Sequence, residues 1–182
     1  QSIDISSPDL NIVDKERIVL DATYGYIKTL AQAAALLTSC HAFWDKLGSK
    51  HIQYFTGTKD DRALAIEIFH WLNATASFSA KRELGKGFTK DHRCFCDGFS
   101  YSVFQNSKIL QTSKTESIEE DKRYDLIIVG KKDAIANYYK SVNLEFVTPK
   151  PRKTSFRRDV YNLGKTEGNK VNLTGFKKSL NA

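Results

Sequence analysis

The chain has 182 residues, 41% of them hydrophobic and 27% charged, enough for one domain with a real core and too apolar for disorder over most of its length. No run of about 18 apolar residues occurs, so no membrane-spanning helix is expected. The net charge of +7 is unevenly placed: residues 149–182 hold nine bases and two acids, and the other 148 residues balance at nineteen of each. A neutral body with a basic end suits an acidic partner: nucleic acid, an acidic protein surface or an anionic membrane.

Residues 1–14 are polar, contain Pro8 and read as an arm. Arg17 to Leu20 is either extended or a lead-in to a helix over residues 21–37, where Ile27, Leu30, Ala31, Ala34 and Leu37 recur at helical spacing. Two aromatic runs, 39–44 and 51–55, flank Asp45-Lys-Leu-Gly-Ser49 and predict a β-hairpin. Thr58, with Asp61 three residues on, predicts the start of a helix over 59–78. Gly85 and Gly87 mark a connector, and Thr89 opens a Phe-rich helix over 90–110. Residues 111–122 are polar without periodicity and predict a mobile loop. Asp125-Leu-Ile-Ile-Val129 reads as a buried strand closed by Gly130, then a helix over 132–142, then an extended stretch at 144–147. Pro149 and Pro151 open a basic linker into a last helix over 156–170, with Phe156, Val160, Leu163 and Gly164 facing inward. The alternation is too irregular for a doubly wound sheet. It predicts an α+β domain: a small mixed sheet of three or four strands, hairpin plus later strand, packed by about five helices. The core is expected over 15–148, with 149–182 a basic linker and a helix packed on it.

Three stretches carry a resemblance: the hairpin followed by Phe55-Thr-Gly-Thr-Lys-Asp-Asp-Arg-Ala-Leu-Ala65, the helix Phe95-Cys-Asp-Gly-Phe99, and Val160-Tyr-Asn-Leu-Gly-Lys-Thr-Glu-Gly-Asn-Lys-Val-Asn-Leu173. In that order they resemble an uncharacterised family of bacteria, phages and other mobile elements, in which a short helical domain of unknown function precedes a domain patterned like this one. The resemblance spans about residues 24–173. It implies the fold and a phage or bacterial cytoplasmic setting, and no catalytic residues, because the family has no established activity. It also implies a preceding segment, in keeping with a chain that starts at Gln1 and lacks Met. Cys94, Cys96, Asn162, Lys165 and Thr166 depart from the pattern.

The candidate chemistry is sparse. Three cysteines, Cys40, Cys94 and Cys96, fit a reducing compartment better than a disulfide framework. His92-x-Cys94-x-Cys96 lacks the usual metal knuckle. Helical positions i and i+2 point about 200° apart, so two buried free thiols are the simpler reading. Glu67-x-x-His70 has the spacing of a carboxylate-bridged metal helix without a second copy. No phosphate-binding loop or hydrolase elbow is present, and no metal or cofactor is expected. Gly85-Lys-Gly87-Phe-Thr89 suits a helix connector better than a phosphate cradle, and Gly164 and Gly168, one turn apart, suit close helix packing. The basic end is the clearest feature. Lys150, Arg152, Lys153, Arg157 and Arg158, with Lys165 and Lys170 on the following helix, are expected to contact phosphates. Without a base-reading motif, such binding is backbone-led and weakly sequence-specific. A non-enzymatic nucleic-acid binder is therefore the first expectation. An effector docking on an acidic bacterial host protein is the second, and an enzyme with a dispersed site is the third.

Overall fold

The computed structural model describes residues 12–21, 24–118, 122–148 and 156–175, with the backbone alone given for 114–118 and 122–128. The chain is α+β. Strand β1 (Asp14–Leu20) precedes helix α1 (Gly25–Thr38), the hairpin β2 (His41–Leu47) and β3 (Lys50–Gly57), and helices α2 (Lys59–Leu84), α3 (Lys90–Ile118), α4 (Lys122–Ser141) and α5 (Arg158–Asn169). The sheet order is β1-β3-β2, and both pairings are antiparallel.

The sheet corrects two expectations. It is antiparallel throughout, not mixed, and its third strand comes from before the hairpin rather than after it. Residues 125–129 lie inside α4. A short apolar run has no period of its own that separates a buried strand from a turn and a half of helix. The stretch beyond Gly130 is rich in helix formers, which absorb the roughly 1 kcal/mol that one glycine costs a helix interior. Likewise residues 111–118 continue α3 instead of forming a loop, while 119–121 lie outside the described residues. Residues 144–148 form no strand.

α3 is the central helix. Phe95, Cys96, Phe99, Val103 and Ser107 are buried, and α1, α2 and α5 all pack on it. α1 lies between α3 and the sheet, and Ala31, Ala33, Ala34 and Ala35 let it approach both closely. The Thr58 cap forms as the sequence predicts: its hydroxyl accepts from the Asp61 N–H and donates to the Asp61 carboxylate at 2.7 Å. α1 has no cap within its own segment, but Asp97 reaches across from α3 and accepts from the backbone N–H of Tyr26. The connector between α2 and α3 uses left-handed backbone at Gly85 (φ 86°) and Gly87 (φ 110°). His92, buried, closes it: one ring nitrogen bonds Thr89 and the other the carbonyl of Gly85.

The contact of α5 with α3 is made by glycines on both helices. A Cβ at Gly164 would lie 2.0 Å from the Phe95 carbonyl oxygen, one at Gly98 2.0 Å from that of Tyr161, and one at Gly168 2.4 Å from that of Phe99. The flat strip expected of Gly164 and Gly168 is real, and Gly98 answers it from the other side. Cys94 donates to the carbonyl of Arg157 and Cys96 to that of Ala76, so the two buried thiols diverge toward α5 and α2. Phe156, expected inward, is 58% exposed. It sits just outside the N-terminus of α5 with its ring against Tyr161.

Candidate nucleic-acid interface

The register sorts the sheet into two faces. Side chains alternate along a strand, and cross-strand partners share a face. Ile18, Gln53 and Trp44 form one row, and Glu16, Phe55 and Ala42 the next. This face meets the helices: Phe55 packs on Phe69 of α2, and Ile18 and Ala42 join the core. His51 and Gln53, both buried, bond each other at 3.2 Å, and Gln53 donates to the Phe43 carbonyl.

The opposite face carries three rows: Lys15–Thr56–His41, Arg17–Tyr54–Phe43, and Val19–Ile52–Asp45. β1 begins Asp-Lys-Glu-Arg, and alternation separates its charges. Glu16 turns to Arg62 of α2 at 3.7 Å, whereas Lys15 and Arg17, both exposed, share the outer face with the aromatic rings. Tyr54 and Phe43 stack with centroids 4.7 Å apart and planes 10° from parallel, and the Lys15 ammonium stands 5.4 Å from the Tyr54 centroid.

α4 and the segment after it cover one end of this face. Lys131 donates to Asp61 at 2.7 Å, Tyr138 to Asp14 at 3.1 Å, and the Tyr139 hydroxyl bonds His41 Nδ1 at 2.7 Å. Phe146 stands edge-on to His41 and Phe43, each 5.4 Å away, and to Tyr139. These rings desolvate the imidazole of His41, though the residue keeps solvent contact, and lower its pKa. Burial raises the Tyr139 hydroxyl to about 12, so it is protonated at neutral pH.

The basic residues singled out in the sequence have distinct positions. Arg157 bridges Asp91 at 2.8 Å and Asp159 at 2.6 Å. Lys170 pairs with Glu167, which also receives Arg82 of α2 at 2.5 Å. Lys165 stands over the Tyr101 ring, 5.2 Å from its centroid, and Arg158 is exposed. Arg158 and Lys165 are seven residues apart, hence on one side of α5. Lys150, Arg152 and Lys153 lie outside the described residues. Lys15, Arg17, Phe43 and Tyr54 are not among the residues that the sequence singles out. The alternation in Asp-Lys-Glu-Arg is the available signal, but with Arg17 to Leu20 open between an extended stretch and a lead-in to a helix it has no strand partner to be read against.

The other candidate chemistry is occupied by structure. Burial raises the thiols of Cys40 and Cys96 to about 12, so both are protonated at neutral pH. Glu67 and His70 are exposed on α2. Among the described residues no group of three or more His, Cys, Asp or Glu side chains is placed to hold a metal ion, and no helix is long and apolar enough to cross a membrane. Comparisons with protein-family models, with curated proteins and with solved structures return no match for this chain.

Proposed function

We propose that this protein binds nucleic acid without catalysing a reaction on it, holding the sugar-phosphate backbone through cations and discriminating weakly between sequences. The observation that carries this reading is the charge distribution: the entire excess of +7 falls in residues 149–182. Clustered lysine and arginine bind phosphates by releasing condensed counterions, whatever the sequence. The outer sheet face adds support, because Lys15 and Arg17 are gathered there beside stacked aromatic rings while Glu16 is turned away. A phage or mobile-element protein acting in the bacterial cytoplasm is the setting that the family resemblance would give it.

The test is binding of the whole chain to random-sequence duplex and single strands across a salt series. The affinity should fall linearly in logarithm with salt, and Arg158→Ala should flatten the slope by up to about one unit, one phosphate contact. Arg157→Ala should flatten it less, because Asp91 and Asp159 already neutralise that guanidinium. If neither form binds more tightly than about 100 μM at low salt, the reading fails, and docking on an acidic host protein becomes the better account of the same charges.

A further inference from the structure

We infer that the outer face of the sheet is a stacking site for single-stranded nucleic acid, with Tyr54 as the platform for a base and Lys15 and Arg17 as the phosphate contacts. This rests on the nucleic-acid reading above and names the form of ligand and the surface that takes it. Tyr54 and Phe43 form a two-ring stack. Its Phe43 end is closed by the edges of Tyr139 and Phe146. At its Tyr54 end, among the described residues, the ammonium of Lys15 stands 5.4 Å from the ring centroid on a flexible stem, and Arg17 is the cross-strand neighbour. A nucleobase laid on that end extends the stack by one ring, and Lys15 swings aside to a phosphate. Every base has a π-face, so such a platform is tolerant of sequence. A base within a duplex is already stacked on both sides and cannot be offered without opening the helix, so the platform selects single strands.

Charge fits the same occupant. Arg17 lies in the row of Tyr54 and Phe43, Lys15 in the adjoining row, and Lys50 stands exposed at the hairpin end of the face opposite Leu47. The acid among these rows, Asp45, is on β2, across the sheet from Arg17. Val19, 49% exposed beyond Arg17, gives a neighbouring base or sugar an apolar surface. The cations therefore flank the open end of the stack, where a backbone carrying a base onto Tyr54 has to pass.

The experiment uses the whole chain, a fluorescent twelve-residue oligothymidylate and a duplex of equal length, each measured over a salt series. Tyr54→Ala should weaken oligothymidylate binding about tenfold with the salt slope unchanged, as expected for the loss of one stacked base. Tyr54→Phe should bind as the parent does, since the ring is kept. Arg17→Gln, at an exposed position of the edge strand, should lower the single-strand slope by about 0.7, so the surface can be read even if Tyr54→Ala destabilises the sheet. Duplex affinity should be indifferent to all three. If single strand and duplex bind equally and both Tyr54→Ala and Arg17→Gln leave them unchanged, the platform is wrong and the nucleic-acid reading stands on the C-terminal cations alone. If neither probe binds, both fail.

Discussion

α5 and α4 are both held against the rest of the molecule, by opposite means. α5 meets α3 where side chains are missing: Gly98, Gly164 and Gly168 bring backbone against backbone. α4 buries Ile135 and, among the described side chains, meets the sheet and α2 through the ends of long ones: Lys131 on Asp61, Tyr138 on Asp14, Tyr139 on His41. An interface made by absence is broken by adding an atom. An interface made by side-chain ends is broken by removing atoms, or by changing their protonation. The first is insensitive to conditions and intolerant of substitution. The second can be released in steps.

The largest expected effect separates the two directly. Gly164→Ala places a methyl group 2.0 Å from the Phe95 carbonyl, which is backbone and cannot rotate away. The two helices must part, at a cost of about 3 kcal/mol, the upper end of ordinary overpacking. Urea unfolding should show it, with Gly130→Ala on α4 as the control. Nothing lies within 4 Å of a Cβ at Gly130, so that variant should gain up to about 1 kcal/mol from helix propensity. Equal losses from both would refute the contrast.

A smaller effect is expected at Asp61. It is buried at the start of α2 and receives Thr58 and Lys131. Asp61→Ala leaves both donors without their acceptor, for a loss of about 2 kcal/mol. Lys131→Ala should lose less, because the Asp61 carboxylate keeps the Thr58 hydroxyl and its favourable place at a helix N-terminus. Hydrogen exchange should localise the change to α4 and leave α5 protected.

The smallest effect is one of pH. The lowered pKa of His41 means that an unfolded chain takes the proton at its ordinary value near 6.5 while the folded ring resists it. The contribution of the neutral ring is therefore complete above about pH 6.5 and is lost as pH falls through that value toward the folded one. On α5, Lys170 and Arg82 hold the Glu167 carboxyl below the usual carboxylate range, so it stays ionised and paired over this pH window. Between pH 7 and pH 5 amide protection should fall in α4 and hold in α5. His41→Phe should abolish the difference.

Much of this architecture was legible in the residues. The α+β class, the hairpin, the Thr58 cap and the Gly164–Gly168 strip each follow from a local pattern with one dominant physical cause. The failures share a different origin. Residues 125–129 are apolar on every side and could satisfy a strand or a helix, so their neighbours decide. β1 is a strand because the hairpin offers it an edge, a partner more than thirty residues away that local reading does not see. The outer sheet face went unread for the same reason: its rows combine residues 15–19, 41–45 and 52–56, and only the register makes them neighbours. The basic end was visible as charge, but the attachment of Arg157 to Asp91 and of Lys170 to Glu167 depends on how α5 lies on α3.

The alternation of charge in β1 has a second effect, on how copies of the protein meet. β1 is an edge strand, and one side of its backbone offers N–H and C=O groups that any passing strand could pair with. Its first four residues are Asp14, Lys15, Glu16 and Arg17. A second sheet arriving at that edge would have to strip water from charged side chains on both faces at once, with little apolar area gained in return. The pattern that turns Lys15 and Arg17 to one face of the strand and Glu16 to the other thus also guards the sheet against growing by the addition of further chains.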